Sequence, residues 1–312
     1  MRFSVYIPFA ISVLAALGAR PAAGRLPPRT ATWWLSATAV VAAAGWCAAL
    51  ALLAITAVGQ FPPLAAEGHW SARTLRTDTP VNREVAVAAG AALLAAAVAL
   101  AITGYRRLGA LAAARRICRS LHPHSPLVVI DDPVPHTFAV PGAAGRVVVS
   151  TGILRTLDAA QRRALLAHER SHLRNRHHWF LIATRLAAAV DPLLYPLLTA
   201  VTFTVERWAD EDAASAVSSR RLVARTLAVA ALAAVRQPAS ALALATHQVP
   251  RRVQALLVAP PPQRKLVLAA GAALLALICL SVREAAHDTH HLFEAAEYAY
   301  HTLHNQPPHL PR

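Results

Sequence analysis

From Trp33 to Gly59 the chain carries no charged side chain. A helix of about 20 apolar residues covers the hydrocarbon core of a bilayer. In lipid every backbone polar group must be satisfied within the segment, so such a stretch can only be helix. Val85–Gly104 and Leu266–Val282 are likewise uncharged, and Phe3–Ala19 approaches the same length. The fold class that follows is an α-helical membrane protein with about four transmembrane helices. A hydrophobic content of 56% against 15% charged residues agrees, being wrong for an ordinary soluble enzyme. Trp33 and Trp34 mark an interface at the start of the second span. The third span is mostly alanine and is expected to pack on its neighbours through small side chains.

Arginine near the span ends sets an orientation, because short loops rich in Lys and Arg stay in the cytoplasm. Arg20, Arg25 and Arg29 follow the first span, and Arg106, Arg107, Arg115, Arg116 and Arg119 follow the third. The loop between spans two and three balances Arg73, Arg76 and Arg83 with Glu67, Asp78 and Glu84. The expectation is a multi-pass protein of the cell membrane, with the N-terminus and the C-terminal tail outside and the central segment cytoplasmic. A cleaved signal peptide over residues 1 to about 22 competes with this, but it would push five arginines outside. The organisation read from composition is a three-span membrane region at 1–104, a cytoplasmic domain at 105–265, a fourth span at 266–282 and a His-rich extracytoplasmic tail at 283–312.

The formal charge of +15 raises nucleic acid as a partner, yet no zinc-knuckle spacing, aromatic RNA-binding strand or unbroken basic run accompanies it, so nucleic acid is not expected. Only Lys265 among the 31 basic residues is lysine, a bias that looks like GC-rich coding rather than arginine function. Cys47, Cys118 and Cys279 are odd in number and far apart, which suggests neither a disulfide framework nor a cysteine metal site.

Inside the central segment, Leu127–Ile130 and residues 145–150 read as two β-strands. Asp158 with Gln161 three residues on is a capping-box variant that starts a helix through about Arg176. The apolar stretch from Trp179 to Val205 is broken by Arg185, Asp191, Pro192 and Pro196. It reads as a pair of helices that pack on the domain or dip into the membrane face, not as a clean span.

The helix carries His168-Glu169-Arg170-Ser171-His172. Histidines at i and i+4 project from one helix face and can chelate one zinc ion. Glu169, one position off, reaches a water on the metal and takes its proton as peptide hydrolysis begins. With this chain's His and Glu frequencies the motif is expected by chance about 0.02 times, which disfavours an ordinary solvated face. Two candidates compete for the third ligand. Glu206 shares a face with Asp210, so one can bind the metal while the other orients a ligand histidine. His178 sits where a third histidine follows in H-E-x-x-H-x-x-G-x-x-H, with Asn175 for the glycine, but that pattern also requires a downstream methionine and the sole methionine is Met1. A di-iron reading from Glu169-x-x-His172 and Glu284-x-x-His287 would need units placed on opposite sides of the membrane.

Three spans, a His-Glu-x-x-His domain and a fourth span together resemble the β-lactam-sensing BlaR/MecR receptor metallopeptidases, metallopeptidase family fifty-six. His136-Thr137-Phe138-Ala139, the strand at 145–150, Gly152-Ile153-Leu154, Ala167-His168-Glu169 and Glu206-x-x-x-Asp210 also resemble the related HtpX and CAAX-endopeptidase type, family forty-eight. The resemblance covers roughly residues 100 to 285. It implies a mainly α, α+β zincin-like metallopeptidase domain inserted between spans three and four. It further implies one Zn2+ per chain on His168, His172 and Glu206, Glu169 as catalytic base, and Asp210 behind a ligand. Val147, Val148 and Val149 would be the edge to which a substrate adds as a strand; an ordinary internal strand is the rival reading. Only about 30 residues follow the fourth span, so a sensor domain is not implied.

The expected activity is that of a zinc metalloendopeptidase acting on a protein or peptide substrate at the cytoplasmic membrane face, a cytoplasmic regulator or a membrane protein. The alternative is a catalytically silent zinc-binding membrane receptor or scaffold. A transporter is disfavoured by spans without intramembrane charge. Arg207 and His136 are candidates for stabilising an oxyanion. The tail holds His287, His290, His291, His301, His304 and His309, which reads either as a metal-recruiting cluster or as a disordered hydrophilic end.

Overall fold

The computed structural model describes residues 4–79, 81–121, 125–141, 145–235 and 248–304. His309 lies outside them, as do the side chains of Cys118 and His304. Among the described residues the protein is mostly helical with one small sheet, and four helices are long and apolar enough to cross a membrane. These are α1 (Ile7–Arg25), α2 (Pro28–Gly59), α5 (Arg83–Leu121) and the last helix, α12 (Lys265–His304). Two short helices, α3 (Pro62–Glu67) and α4 (Ala72–Asp78), fill the connection between α2 and α5.

Helix α2 opens at Pro27-Pro28, where a proline in the first turn loses no hydrogen bond, and runs unbroken to Gly59. It touches α1, α5 and α12 through small residues. Ala39, Ala42, Ala43 and Ala49 are buried along it, and a Cβ on Gly45 would stand 2.5 Å from Ile278 Cγ2 on α12. In α5 the small residues Ala86, Ala89 and Ala96 face inward while Leu94 and Val98 face out, the division its composition suggests. Beyond the span α5 continues toward the sheet, where Arg115 Nε donates to Pro141 O at 2.8 Å.

The sheet holds β1 (Leu127–Ile130), β2 (Thr137–Val140) and β3 (Arg146–Ser150) in the order β1-β3-β2. Strand β1 runs parallel to β3 and β2 antiparallel, with Phe138 opposite Val148. This corrects the expected role of Val147, Val148 and Val149: β3 is central and paired on both sides, so its backbone offers no edge to a substrate. The edge toward the rest of the domain is β2, a strand that the sequence did not suggest. A tight crossing follows the sheet at Gly152, where a Cβ would lie 2.2 Å from Pro133 O.

After the sheet come α6 (Thr151–Thr156), α7 (Ala159–Arg174), α8 (His177–Val190), α9 (Tyr195–Ala216), α10 (Arg220–Val235) and α11 (Val249–Leu257). The interrupted stretch from 179 to 205 becomes the α8–α9 hairpin, with Asp191 capping a 3-10 turn at Pro192–Leu194. Its breakers thus sit where chain reversal needs them, and Pro196 occupies a first-turn position of α9. The hairpin packs on the spans: Thr204 and Thr32 hydroxyls meet at 3.0 Å, and one core joins Ile11, Ala19 and Leu35 to Leu194, Leu197 and Val201.

At the far end of the bundle α12 does not stop with the span. The segment expected as a hydrophilic end is helix through His304, docked on the α2–α5 connection. Ser71 N donates to Ala296 O at 2.9 Å, and Trp70 meets Phe293 edge to face. This places Glu284 and His287 at the opposite end of α2 from the residues that contact α9, so the two Glu-x-x-His units do not meet.

Candidate metal centre

Helix α7 begins as read, with Gln161 N donating to Asp158 Oδ1 at 2.8 Å and Asp158 N to Gln161 Oε1 at 3.0 Å. It ends earlier, at Arg174, because Arg176 adopts a left-handed backbone (φ 52°) and starts α8 in a new direction. Asp212 on α9 fixes that corner, accepting from Ser171 Oγ at 2.6 Å, Asn175 Nδ2 at 2.7 Å and Arg174 Nη2 at 2.8 Å.

Helix α7 lies against α9, and this brings His168, His172 and Glu206 together. The Nε2 atoms of the histidines are 3.1 Å apart, and Glu206 oxygens lie 3.5 Å from His168 Nε2 and 3.7 Å from His172 Nε2. Tetrahedral zinc with bonds of about 2.0–2.1 Å requires donor atoms about 3.3 Å from one another. Two imidazole nitrogens and a carboxylate at 3.1 to 3.7 Å therefore fit the ion, which on binding would displace any proton held on His168. His178 is not among these donors. The turn at Arg176 leaves it lining the cleft beside the centre.

Behind these donors, His168 Nδ1 is 3.0 Å from Asp210 Oδ1. Burial by itself would lower the pKa of His168, but Asp210 and Glu206 outweigh it and raise it to about 10. The pocket thus attracts a cation. Two residues here escaped sequence reasoning. Arg252 on α11 donates to Asp210 at 2.8 and 2.6 Å and pairs with Glu206 Oε2 at 2.9 Å, holding both carboxylates well below their usual range against the opposing effect of burial. Buried His177 places Nδ1 3.0 Å from His172 Nδ1, under the ring of Trp208. Burial, reinforced by His172, lowers the pKa of His177 to about 3, so it stays neutral.

Glu169 is buried one step from the ligand face, and burial raises its carboxyl to about 7, with His168 opposing and Glu206 reinforcing. It lines two cavities that share His168 and Glu206. The first, about 210 Å³, is walled by apolar Ala164, Leu165, Val223, Leu227 and Ala230. The second, about 340 Å³, runs along Thr137, Phe138 and Ala139 of β2 to His178 and Leu181. The candidate centre thus sits in the middle of a two-lobed cleft floored by the edge strand. Arg207 turns away, its Nη1 donating to Ala23 O at 3.3 Å, and His136 lies beside Asp132 without lining either lobe.

Part of this region has a counterpart among known families. Residues 105–191 match peptidase family M48. The match begins within α5 and includes His168, Glu169 and His172, but stops before Glu206, Asp210 and Arg252. It supports a relation to the metallopeptidases of that family, and so a protease. No curated protein and no solved structure matches the chain.

Proposed function

We propose that this protein is a zinc-dependent membrane endopeptidase that hydrolyses a peptide bond of a protein substrate at the cytoplasmic face. The observation that carries the proposal is the convergence of His168, His172 and Glu206 at tetrahedral spacing, with buried Glu169 beside them in an open cleft. Zinc held there would polarise the scissile carbonyl and acidify a water. The protein's own groups do the rest. An extended substrate adds to the edge of β2 and crosses from one lobe of the cleft to the other. Glu169, poised near neutrality by burial, accepts the proton of the attacking water and returns it to the leaving amine. Asp210 holds His168 in the tautomer that turns Nε2 to the metal, while His177 meets Nδ1 of His172 and limits how that ring can turn.

Sidedness rests on arginine. Arg29 lies over the ring of Trp208 at 5.5 Å and Arg115 reaches Pro141, so both basic segments share the end of the bundle that bears the cleft. By the positive-inside rule that end is cytoplasmic. The order of three candidate spans, cleft-bearing segment and one more resembles that of the BlaR/MecR receptor type, which favours an inserted peptidase domain without implying antibiotic sensing.

The test is Glu169→Gln in the full-length protein. Loss of a general base lowers turnover about 10²- to 10⁴-fold, with zinc content unchanged. Comparing the proteomes of cells carrying either form should reveal a protein whose cleavage disappears. Cleavage that survives the substitution overturns the mechanism, and a wild type that holds zinc yet cleaves nothing identifies a silent receptor or scaffold instead.

A further inference from the structure

The far end of α12 repeats a geometry already met at the cleft. His287 and His291 stand at i and i+4 with their Nε2 atoms 3.1 Å apart, the separation found for His168 and His172. The ring planes are inclined at 73° in one pair and 72° in the other. This is the bite that two imidazoles need to share one ion at about 2.1 Å. Glu294 supplies an orienting carboxylate, with Oε2 3.0 Å from His291 Nδ1 and Oε1 3.2 Å from His290 Nε2. A proton held on Nδ1 by that carboxylate leaves the Nε2 lone pair of His291 free to bind a metal.

The frame is packed and the cluster open. Ala285, Thr289 and Ala296 form the buried stripe of this helix, anchored by the Ser71 to Ala296 hydrogen bond and by Phe293 against Gly59. His287, His290, His291 and Glu294 fall at i, i+3, i+4 and i+7 on an exposed face. A structured helix thus presents them at fixed spacing, where a disordered tail would not.

We propose that His287 and His291, with Glu294 behind, form a second metal site, at the end of the molecule opposite the cleft, for a borderline divalent ion of the zinc, nickel or copper class, with water completing the coordination. The rival explanation is a hydrogen bond between two imidazoles that holds no ion. Full-length protein in detergent micelles, stripped by a chelator, is titrated with zinc against a chromophoric competitor. The double variant His287→Ala, His291→Ala should bind one zinc fewer per chain than wild type. Glu294→Gln should weaken that ion about 10- to 100-fold, and His301→Ala should leave it unchanged. The substituted side chains are exposed and alanine favours helix, so the fold is preserved. Zinc stoichiometry and affinity unaltered by the double substitution would overturn the proposal.

Discussion

Replacing Arg252 with methionine separates the structural role of the charge cluster from its role with zinc. Methionine fills much of the same volume without charge, so the loss is electrostatic. The guanidinium donates two hydrogen bonds to Asp210, which is 1% exposed and cannot recover hydration, and pairs with Glu206, which is 27% exposed and can recover some. Removing one partner of a buried ion pair costs about 3–5 kcal/mol. In zinc-free protein this amounts to a fall in Tm of roughly 10 °C, at about 2–4 °C per kcal/mol for a chain of this size. Zinc bound on Glu206 supplies the counter-charge that the substitution removed, leaving only Asp210 short of a partner, so the loss should shrink to about half. The assay is thermal unfolding in detergent micelles followed by tryptophan fluorescence, for both proteins, in excess chelator and in saturating zinc. An equal fall in the two conditions, or none in chelator, would refute the reasoning.

Three further outcomes are expected. His177 has a folded pKa of about 3, below the unfolded value of about 6.5, so its contribution is complete above pH 6.5 and is lost as pH falls toward 3. Zinc-free wild type should therefore lose about 2 kcal/mol relative to His177→Phe between pH 7 and pH 5, read from unfolding at the two pH values. Gly45→Ala forces a Cβ against Ile278 and should cost about 1–3 kcal/mol, with a second change, Ile278→Ala, restoring part of the loss in the same melt. Asp158→Ala removes one arm of the capping box and should lower stability by about 1 kcal/mol while zinc content stays constant.

What the sequence made legible was local. His168 and His172 share a face by helical arithmetic, as do Glu206 and Asp210, and the two pairs lie close together because α7 and α9 pack on each other. The spans were visible because lipid tolerates little besides apolar helix. What escaped was non-local or conformationally unfavourable. Arg252 approaches Asp210 across 42 positions and is one basic residue among 31, with nothing nearby to mark it. His177 reaches His172 only because Arg176 takes a left-handed backbone, which costs a residue with a Cβ about 1–2 kcal/mol and which local preference would not choose. Strand β2 is four residues between prolines, too short to show alternation, and without it β3 could be taken for the edge. In the tail the histidine spacing defines no single coordination geometry, while Ala285, Thr289, Phe293 and Ala296 carry the helical stripe that docks it.

Because Glu206 and Asp210 ride on α9, whose earlier turns are rooted among α1 and α2, the half that bears the candidate centre should not survive being cut free by trimming at residues 104 and 265. Such a fragment would expose Leu197, Val201 and Phe203 to water, and would lose the lateral support that keeps Glu206 opposite His168 and His172. Substitutions that inactivate the protein should therefore map not only around His168-Glu169 but also along the inward faces of the first two spans, at Ala19, Ala31 and Thr32, where no chemistry takes place.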